Sequence, residues 1–229
     1  MSARPEPTTP AVALEGSARP ASLAAACGER VLQAELDEQR EHASDLVPQI
    51  EALLRDLGTT AAELRLVVVG LGPGSYTGLR VAAATGQGLA LGSGAAVIGV
   101  PSFEALAYGA LREGESADIL VDAHGGHLYH ARYTRSADDV IVAAPPSALT
   151  SEEARASLTA SVWLADEDAL VAAGLGAAPT GVRIVHGARA SAADLLALGQ
   201  RRFRSTTEPR SEALSPLYLR SFTPKVRAR

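Results

Sequence analysis

Short apolar runs alternate along this chain with stretches in which apolar residues recur every three or four positions, so strands and helices are expected in turn. Ala11 to Leu14 reads as a short strand, and Ala21 to Cys27 with Arg30 to Leu36 as a hairpin turning at Gly28-Glu29. His42 to Leu57 reads as an amphipathic helix whose buried stripe is Leu46, Ile50, Leu53, Leu54 and Leu57. Strand Leu66 to Gly70, helix Ser75 to Leu91, strand Ala96 to Val100 and a helix from a Ser102 cap to Leu111 follow. The order is β-β-β-α-β-α-β-α.

The second half repeats that order more weakly. Strands are expected at Asp118 to Ala123, His127 to Tyr133 and Asp139 to Ala143, then a helix Glu152 to Leu158 behind a Thr150-to-Glu153 capping box. Strand Ser161 to Ala165, a short helix Asp166 to Ala172, strand Arg183 to Gly187 and a Ser191-capped helix to about Phe203 complete it. Two copies of one order predict an internal duplication: two lobes, each a mixed sheet covered by helices. Residues 1–10, with three prolines, read as a disordered extension, residues 11–115 as the first lobe and 116–229 as the second, with the boundary between Arg112 and Ala117.

With 229 residues, 47% of them hydrophobic, the chain has enough apolar material for sizeable cores. Its single cysteine, Cys27, forms no internal disulfide, and no charged-then-apolar leader opens the sequence, so a cytoplasmic protein is expected. No apolar run reaches the length of a membrane span. The net charge of −5 is uneven: residues 201–229 hold eight Lys or Arg against Glu208 and Glu212, a basic tail that could reach phosphates on RNA or an acidic protein. Lys225 is the only lysine, which leaves lysine chemistry no place in the body of the molecule.

Candidate chemistry concentrates in Gly70 to Arg80, where a buried strand meets a small-residue helix through a glycine-dense turn. Gly72, Gly74, Ser75, Thr77 and Arg80 make it either an anion cradle at a helix N-terminus or a place where two backbones pack closely. A P-loop would need Gly-Lys-Ser/Thr where Gly78-Leu79-Arg80 stands, and Ser75 is not in a Gly-x-Ser-x-Gly elbow. The following helix carries Ala82, Ala83, Ala84, Gly86, Gly88 and Ala90. Each interior glycine costs about 1 kcal/mol against alanine, so close approach of another helix, from this chain or a partner, is expected to compensate.

His124, His127 and His130 suggest a metal, but a Gly125-Gly126 turn would put His127 and His130 on opposite faces of a strand, with His124 facing His127 across the turn. No metal site is expected. Glu15 and Asp122 end the leading strands of the two halves, where actin-like and hexokinase-like ATPases hold magnesium and phosphate; Glu15-Gly16-Ser17 and Asp122-Ala123-His124 match that pattern poorly.

Gly72-Pro73-Gly74-Ser75-Tyr76-Thr77-Gly78-Leu79-Arg80, with Gly88 to Gly92 and Val97 to Val100, resembles the TsaB (YeaZ) family. Arg40-Glu41-His42, Val121-Asp122-Ala123 with Tyr129, and Ser215 to Arg220 extend the resemblance over most of residues 11–222. It departs at Glu15-Gly16, where the family usually has Asp-Thr or Asp-Ser, and at Tyr76, where Phe is usual. The resemblance implies an α/β protein with the duplicated actin-like ATPase (ribonuclease H-like) fold, acting without catalytic residues of its own as a scaffold in threonylcarbamoylation of the adenosine beside the anticodon. It implies pairing with a catalytic, TsaD-like subunit, work with a TsaE-like ATPase, and a homodimer when alone. It leaves room for ATP or ADP with magnesium at the partner interface and for tRNA at the basic tail. The family's partner surface lies on first-lobe helices, here represented by His42, Leu46, Ile50, Ala82, Ala83, Gly86 and Ala90. The rival reading is an ATP-dependent small-molecule kinase, which would need a magnesium site at Glu15 and Asp122.

Overall fold

A computed structural model describes residues 9–36, 43–176, 178–205 and 214–220. Most of the N-terminal extension, His42 and most of the basic tail lie outside the described residues.

Strand β1 (Ala11–Glu15) is buried along its whole length because it is the centre of the first sheet. It pairs antiparallel with β2 (Ser22–Cys27), which pairs with β3 (Arg30–Glu35), and parallel with β4 (Leu66–Gly70), which pairs with β5 (Ala96–Val100). The order is β3-β2-β1-β4-β5. In the second sheet β6 (Ser116–Asp122) takes the place of β1, with β7 (His127–Arg135) and β8 (Val140–Thr150) antiparallel on one side. β9 (Val162–Ala165) and β10 (Arg183–His186) are parallel on the other, which gives β10-β9-β6-β7-β8. Read from the hairpin edge, the two sheets have one topology, the duplication that the sequence predicts.

Helices α1 (Ala43–Asp56) and α2 (Tyr76–Ser93) cover the outer face of the first sheet, burying Leu46, Ile50 and Leu54 against Val12, Leu14, Val67 and Val69. α4 (Ser151–Ser157) and α5 (Glu167–Ala172) cover the outer face of the second. Between the sheets the helices exchange. α3 (Ser102–Ala110), from the first half, packs Phe103, Leu106 and Ala107 on the second sheet, while α6 (Ala192–Ser205), from the end of the second half, packs Leu195, Leu196 and Leu198 on the first. A Cβ at Gly109 of α3 would run into the carboxyl of Asp194 on α6, so the two helices meet closely. The strands therefore divide between the two halves at 101–115, whereas the middle helices cross over.

One ion network stitches this layer. Arg202 of α6 places Nη1 2.7 Å from Glu104 of α3 and donates Nη2 and Nε to Asp139, before β8, at 2.6 and 3.2 Å. In the second sheet Asp118 is fully buried. Burial alone would raise its pKa, but the carboxylate meets His130 Nε2 at 2.8 Å and accepts from Arg132 Nε and the N–H groups of Thr159 and Ala160, and the net shift is downward. These bonds pin the loop before β9 to β6 and β7.

Three local expectations are corrected. Ser102 is the first residue of α3 and not its cap; its hydroxyl accepts from Gly72 N–H instead. β8 runs on through Pro145-Pro146 to Thr150; the prolines fall in a register shift of this edge strand, where the pairing passes from Arg132 with Ala144 to His130 with Ser147 and leaves both without a ladder partner. The β6–β7 turn is three residues, His124 to Gly126, closed by Ala123 N–H to His127 carbonyl, so His124 lies in the turn and does not face His127.

Candidate functional site

The glycine turn after β4 is held by its own neighbours. Leu71 N–H donates to Val100, Gly72 N–H to Ser102 Oγ at 3.0 Å, and Ser75 N–H to the carbonyl of Ser17 at 2.7 Å. Ser75 caps α2 by accepting Gly78 N–H at 3.2 Å. A Cβ at Gly74 would overlap the Ser17 carbonyl, and one at Gly78 the Gly16 carbonyl. Of the two readings open to the sequence, close packing of two backbones is what the geometry displays: the 72–78 turn lies on the 16–17 turn that follows β1.

This leaves a phosphate little to bind. The N–H groups of Gly72, Ser75 and Gly78 are engaged within the chain, while Thr77 is exposed. Arg80 lies with its guanidinium carbon 4.0 Å from the ring centre of Tyr76 and donates Nε to the Tyr218 hydroxyl at 3.2 Å. Glu15 ends β1 beneath the turn at 3% exposure, packed against Gly70, where a Cβ would overlap the carboxyl. Its Oε1 accepts from Ser17 N–H at 2.6 Å, and its Oε2 has no hydrogen-bond partner among the described residues. Burial pushes the Glu15 carboxyl above the ordinary carboxylate range, against the opposing hydrogen bonds of Ser17, Ser102 and Gly16.

In the second lobe Asp122 is engaged with the His124 ring Nδ1 at 2.6 Å. His127 Nδ1 lies 3.0 Å from the Gly125 carbonyl and His130 Nε2 lies on Asp118, so the three rings go to three different partners. Among the described residues no group of three or more His, Cys, Asp or Glu could hold a metal ion.

α2 behind the turn has two unlike sides. Leu79, Ala82, Ala83, Gly86 and Ala90 are buried on its inner side, and a Cβ at Gly86 would overlap Val69. Leu46 and Ile50 of α1 are buried in the same core. The expectation that Leu46, Ile50, Ala82, Ala83, Gly86 and Ala90 face a partner is thus corrected: the helix spacing that includes Leu79 turns them onto the chain's own sheet. The outer side carries Arg80, Ala84, Gln87, Gly88, Leu91 and Gly92, all exposed, with Leu91 at 89%. A Cβ at Gly88 or Gly92 would meet nothing within 4 Å. Beside them runs an apolar groove of about 440 Å³ between α1, the 3-10 turn Ala61–Glu63 and α2, lined by Val47, Ala61, Ala62, Thr85, Gly88, Leu89, Gly92 and Ser93. The signal was in the sequence as small residues at 84, 88 and 92, four apart. Tyr218 and its contacts with Arg80 had no local signal, because the two are 138 residues apart.

Two sheets of one topology, related by duplication and covered by helices, with an acid at the end of the first central strand, define a member of the actin-like, ribonuclease H-like class. The family model described as TsaD, tRNA N6-adenosine threonylcarbamoyltransferase, matches residues 35–161. TsaB, the tRNA threonylcarbamoyladenosine biosynthesis protein of Escherichia coli, is 35% identical over 103 residues, 44% of this chain and 45% of that protein. Its counterpart in Haemophilus influenzae is 33% identical over 99 residues, 42% of each chain. This chain thus aligns with somewhat under half the length of these curated relatives. A solved structure of YeaZ from Pseudomonas aeruginosa superposes with a TM-score of 0.79 at 25% identity, covering 92% of this chain and 99% of that one. The chain belongs to the TsaB/YeaZ family. No helix among the described residues is long and apolar enough to cross a membrane.

Proposed function

We propose that this protein takes part in making threonylcarbamoyladenosine in tRNA, as a non-catalytic scaffold that docks on a TsaD-like catalytic subunit through the outer side of α1 and α2. The observation that carries the docking reading is the pair Gly88 and Gly92. Gly88, inside the helix, costs about 1 kcal/mol against alanine, and no described atom lies within 4 Å of a Cβ placed at Gly88 or at Gly92 in the last turn. A second helix crossing over Ala84, Gly88 and Gly92 would reach the backbone closely and bury Leu91 and Val47, which are 89% and 40% exposed. Family membership supplies the partner's class, and the same face would pair two copies of this chain when the partner is absent.

Catalysis then belongs to the partner. Any ATP or ADP with magnesium that the complex or a TsaE-like ATPase uses would take its ligands chiefly from elsewhere, because the N–H groups of Gly72, Ser75 and Gly78 are engaged and Glu15 is buried. The same two facts disfavour a small-molecule kinase. Contact with tRNA through the basic tail belongs to this reading as a further proposal. The test is to deplete the protein and measure threonylcarbamoyladenosine in total tRNA by mass spectrometry. The modified base should fall and return with the parent gene but not with Gly88→Leu. An unchanged level of the base on depletion would overturn the reading.

A further inference from the structure

The segment 214–220 crosses from one lobe to the other at the carboxyl ends of both central strands, the edge of an α/β sheet at which ligands usually enter. Leu214 is buried in the core between the first sheet and its outer helices. Leu217 N–H donates to the carbonyl of Leu71, one residue beyond β4, at 2.7 Å. The Tyr218 ring lies 5.1 Å from that of Tyr76, and its hydroxyl accepts from Arg80 Nε. Two residues on, the guanidinium of Arg220 donates Nη1 to the carbonyl of Ala123 at 2.8 Å and also to that of His124. These carbonyls belong to the turn that follows β6, the second lobe's counterpart of β1.

The turn is shaped to receive it. His124 is the one described non-glycine residue with a positive φ, 58°, and Gly125 and Gly126 continue the left-handed run. Asp122 Oδ1 accepts His124 N–H at 2.9 Å and Asp166 Oδ2 accepts Asp122 N–H at 3.1 Å, so the loop is braced from the second sheet while Arg220 takes its carbonyls. Left-handed backbone at a non-glycine residue persists only where the surroundings hold it. Arg220 is one of the groups that hold it.

We propose that residues 214–220 are a two-point clamp that fastens the mouth between the lobes, with Tyr218 as the hold on the first lobe and Arg220 as the hold on the second. α3 and α6 already join the lobes in the middle layer; the clamp joins them at the strand ends. It also grips Arg80, which lies on the outer side of α2, so a change at the second-lobe turn is transmitted along a few residues to that side. The clamp is a property of the isolated chain and does not depend on the docking reading.

Amide hydrogen exchange on the full chain tests it without any partner. A clamp held at both ends opens as one unit. Arg220→Ala should therefore speed exchange at Leu217, three residues back in the chain and bonded to the first lobe, by about tenfold, and Tyr218→Ala should do the same at the 122–127 turn. The double variant should be no faster than about twice either single one, because the second loss finds the clamp already open. Tyr218→Phe, which keeps the ring contact, and Arg220→Lys should stay nearer the parent. Val67 to Val69 in β4 report global stability and should remain protected. If Leu217 keeps its parental protection in Arg220→Ala, or the two losses multiply, or β4 opens in step with the segment, the clamp does not exist.

Discussion

On the inner side of α2, Gly86 has Val69 and Val67 where a side chain would go, while on the outer side Gly88 and Gly92, two and six residues later, have open space. The first glycine is required by the fold: it lets the helix lie on β4 closely enough to close the core. Gly88 weakens the helix and Gly92 loosens its last turn, and no described residue fills the space they leave. A helix dense in small residues therefore does not by itself mark an interface. What marks one is a small residue whose missing side chain nothing within the molecule replaces.

That contrast can be broken by substitution, and the largest effect is expected inside. Gly86→Leu would drive four carbons into Val69 and Val67, and overpacking of this kind costs about 1–3 kcal/mol or more. The variant should melt far below the parent or be recovered unfolded; a parental melting curve would mean that α2 does not sit on β4 as described. Next comes Gly74→Ala, whose new methyl would overlap the Ser17 carbonyl. A loss of about 1–3 kcal/mol in denaturant unfolding is expected from that overlap, added to by a φ of 156° that side chains rarely adopt; parental stability would mean that the two turns do not pack as described.

On the outer side the sign reverses. Gly88→Ala should stabilise the isolated chain by about 1 kcal/mol, or roughly 2–4 °C in Tm for a chain of this size. A destabilisation would show that position 88 has a neighbour within the molecule. The smallest effect is at Glu15, and it depends on pH. Burial raises the carboxyl's pKa in the folded chain above its ordinary value of 4.5, so the folded state holds a proton that the unfolded state releases first. The stability this gives is full below about pH 4 and is lost as pH rises toward the raised value. Glu15→Gln should therefore gain in Tm relative to the parent between pH 5 and 8, and a constant gap would mean the carboxyl is already ionised.

Much of the fold was legible because local chemistry spoke for it. The Thr150–Glu153 capping box forms as written, with Glu153 accepting Thr150 N–H at 2.8 Å. Ser75 and Ser191 both accept from the N–H three residues on, as caps should. The doubled strand order follows from the alternation of periods. The exchange of α3 and α6 was not legible, since Phe103, Leu106, Leu195 and Leu198 are equally suited to either sheet and only assembly of the two lobes decides between them. On α2 the spacing did not show which side packs on the sheet: with apolar residues sparse, Leu79 and Val81 do not tell inner from outer until β1 and β4 are in place. Tyr218 and Arg220 were visible only as part of a resemblance, because their partners Arg80 and Ala123 lie far back in the chain.

The most direct test is a titration of a purified TsaD-like subunit against the parent chain, Gly88→Leu and Gly88→Ala, with each variant's melting curve measured alongside. The account predicts that Gly88→Leu melts no lower than the parent yet loses binding, while Gly88→Ala binds detectably but less tightly. Parental affinity in Gly88→Leu would contradict it, and would place the docking surface on another part of the molecule.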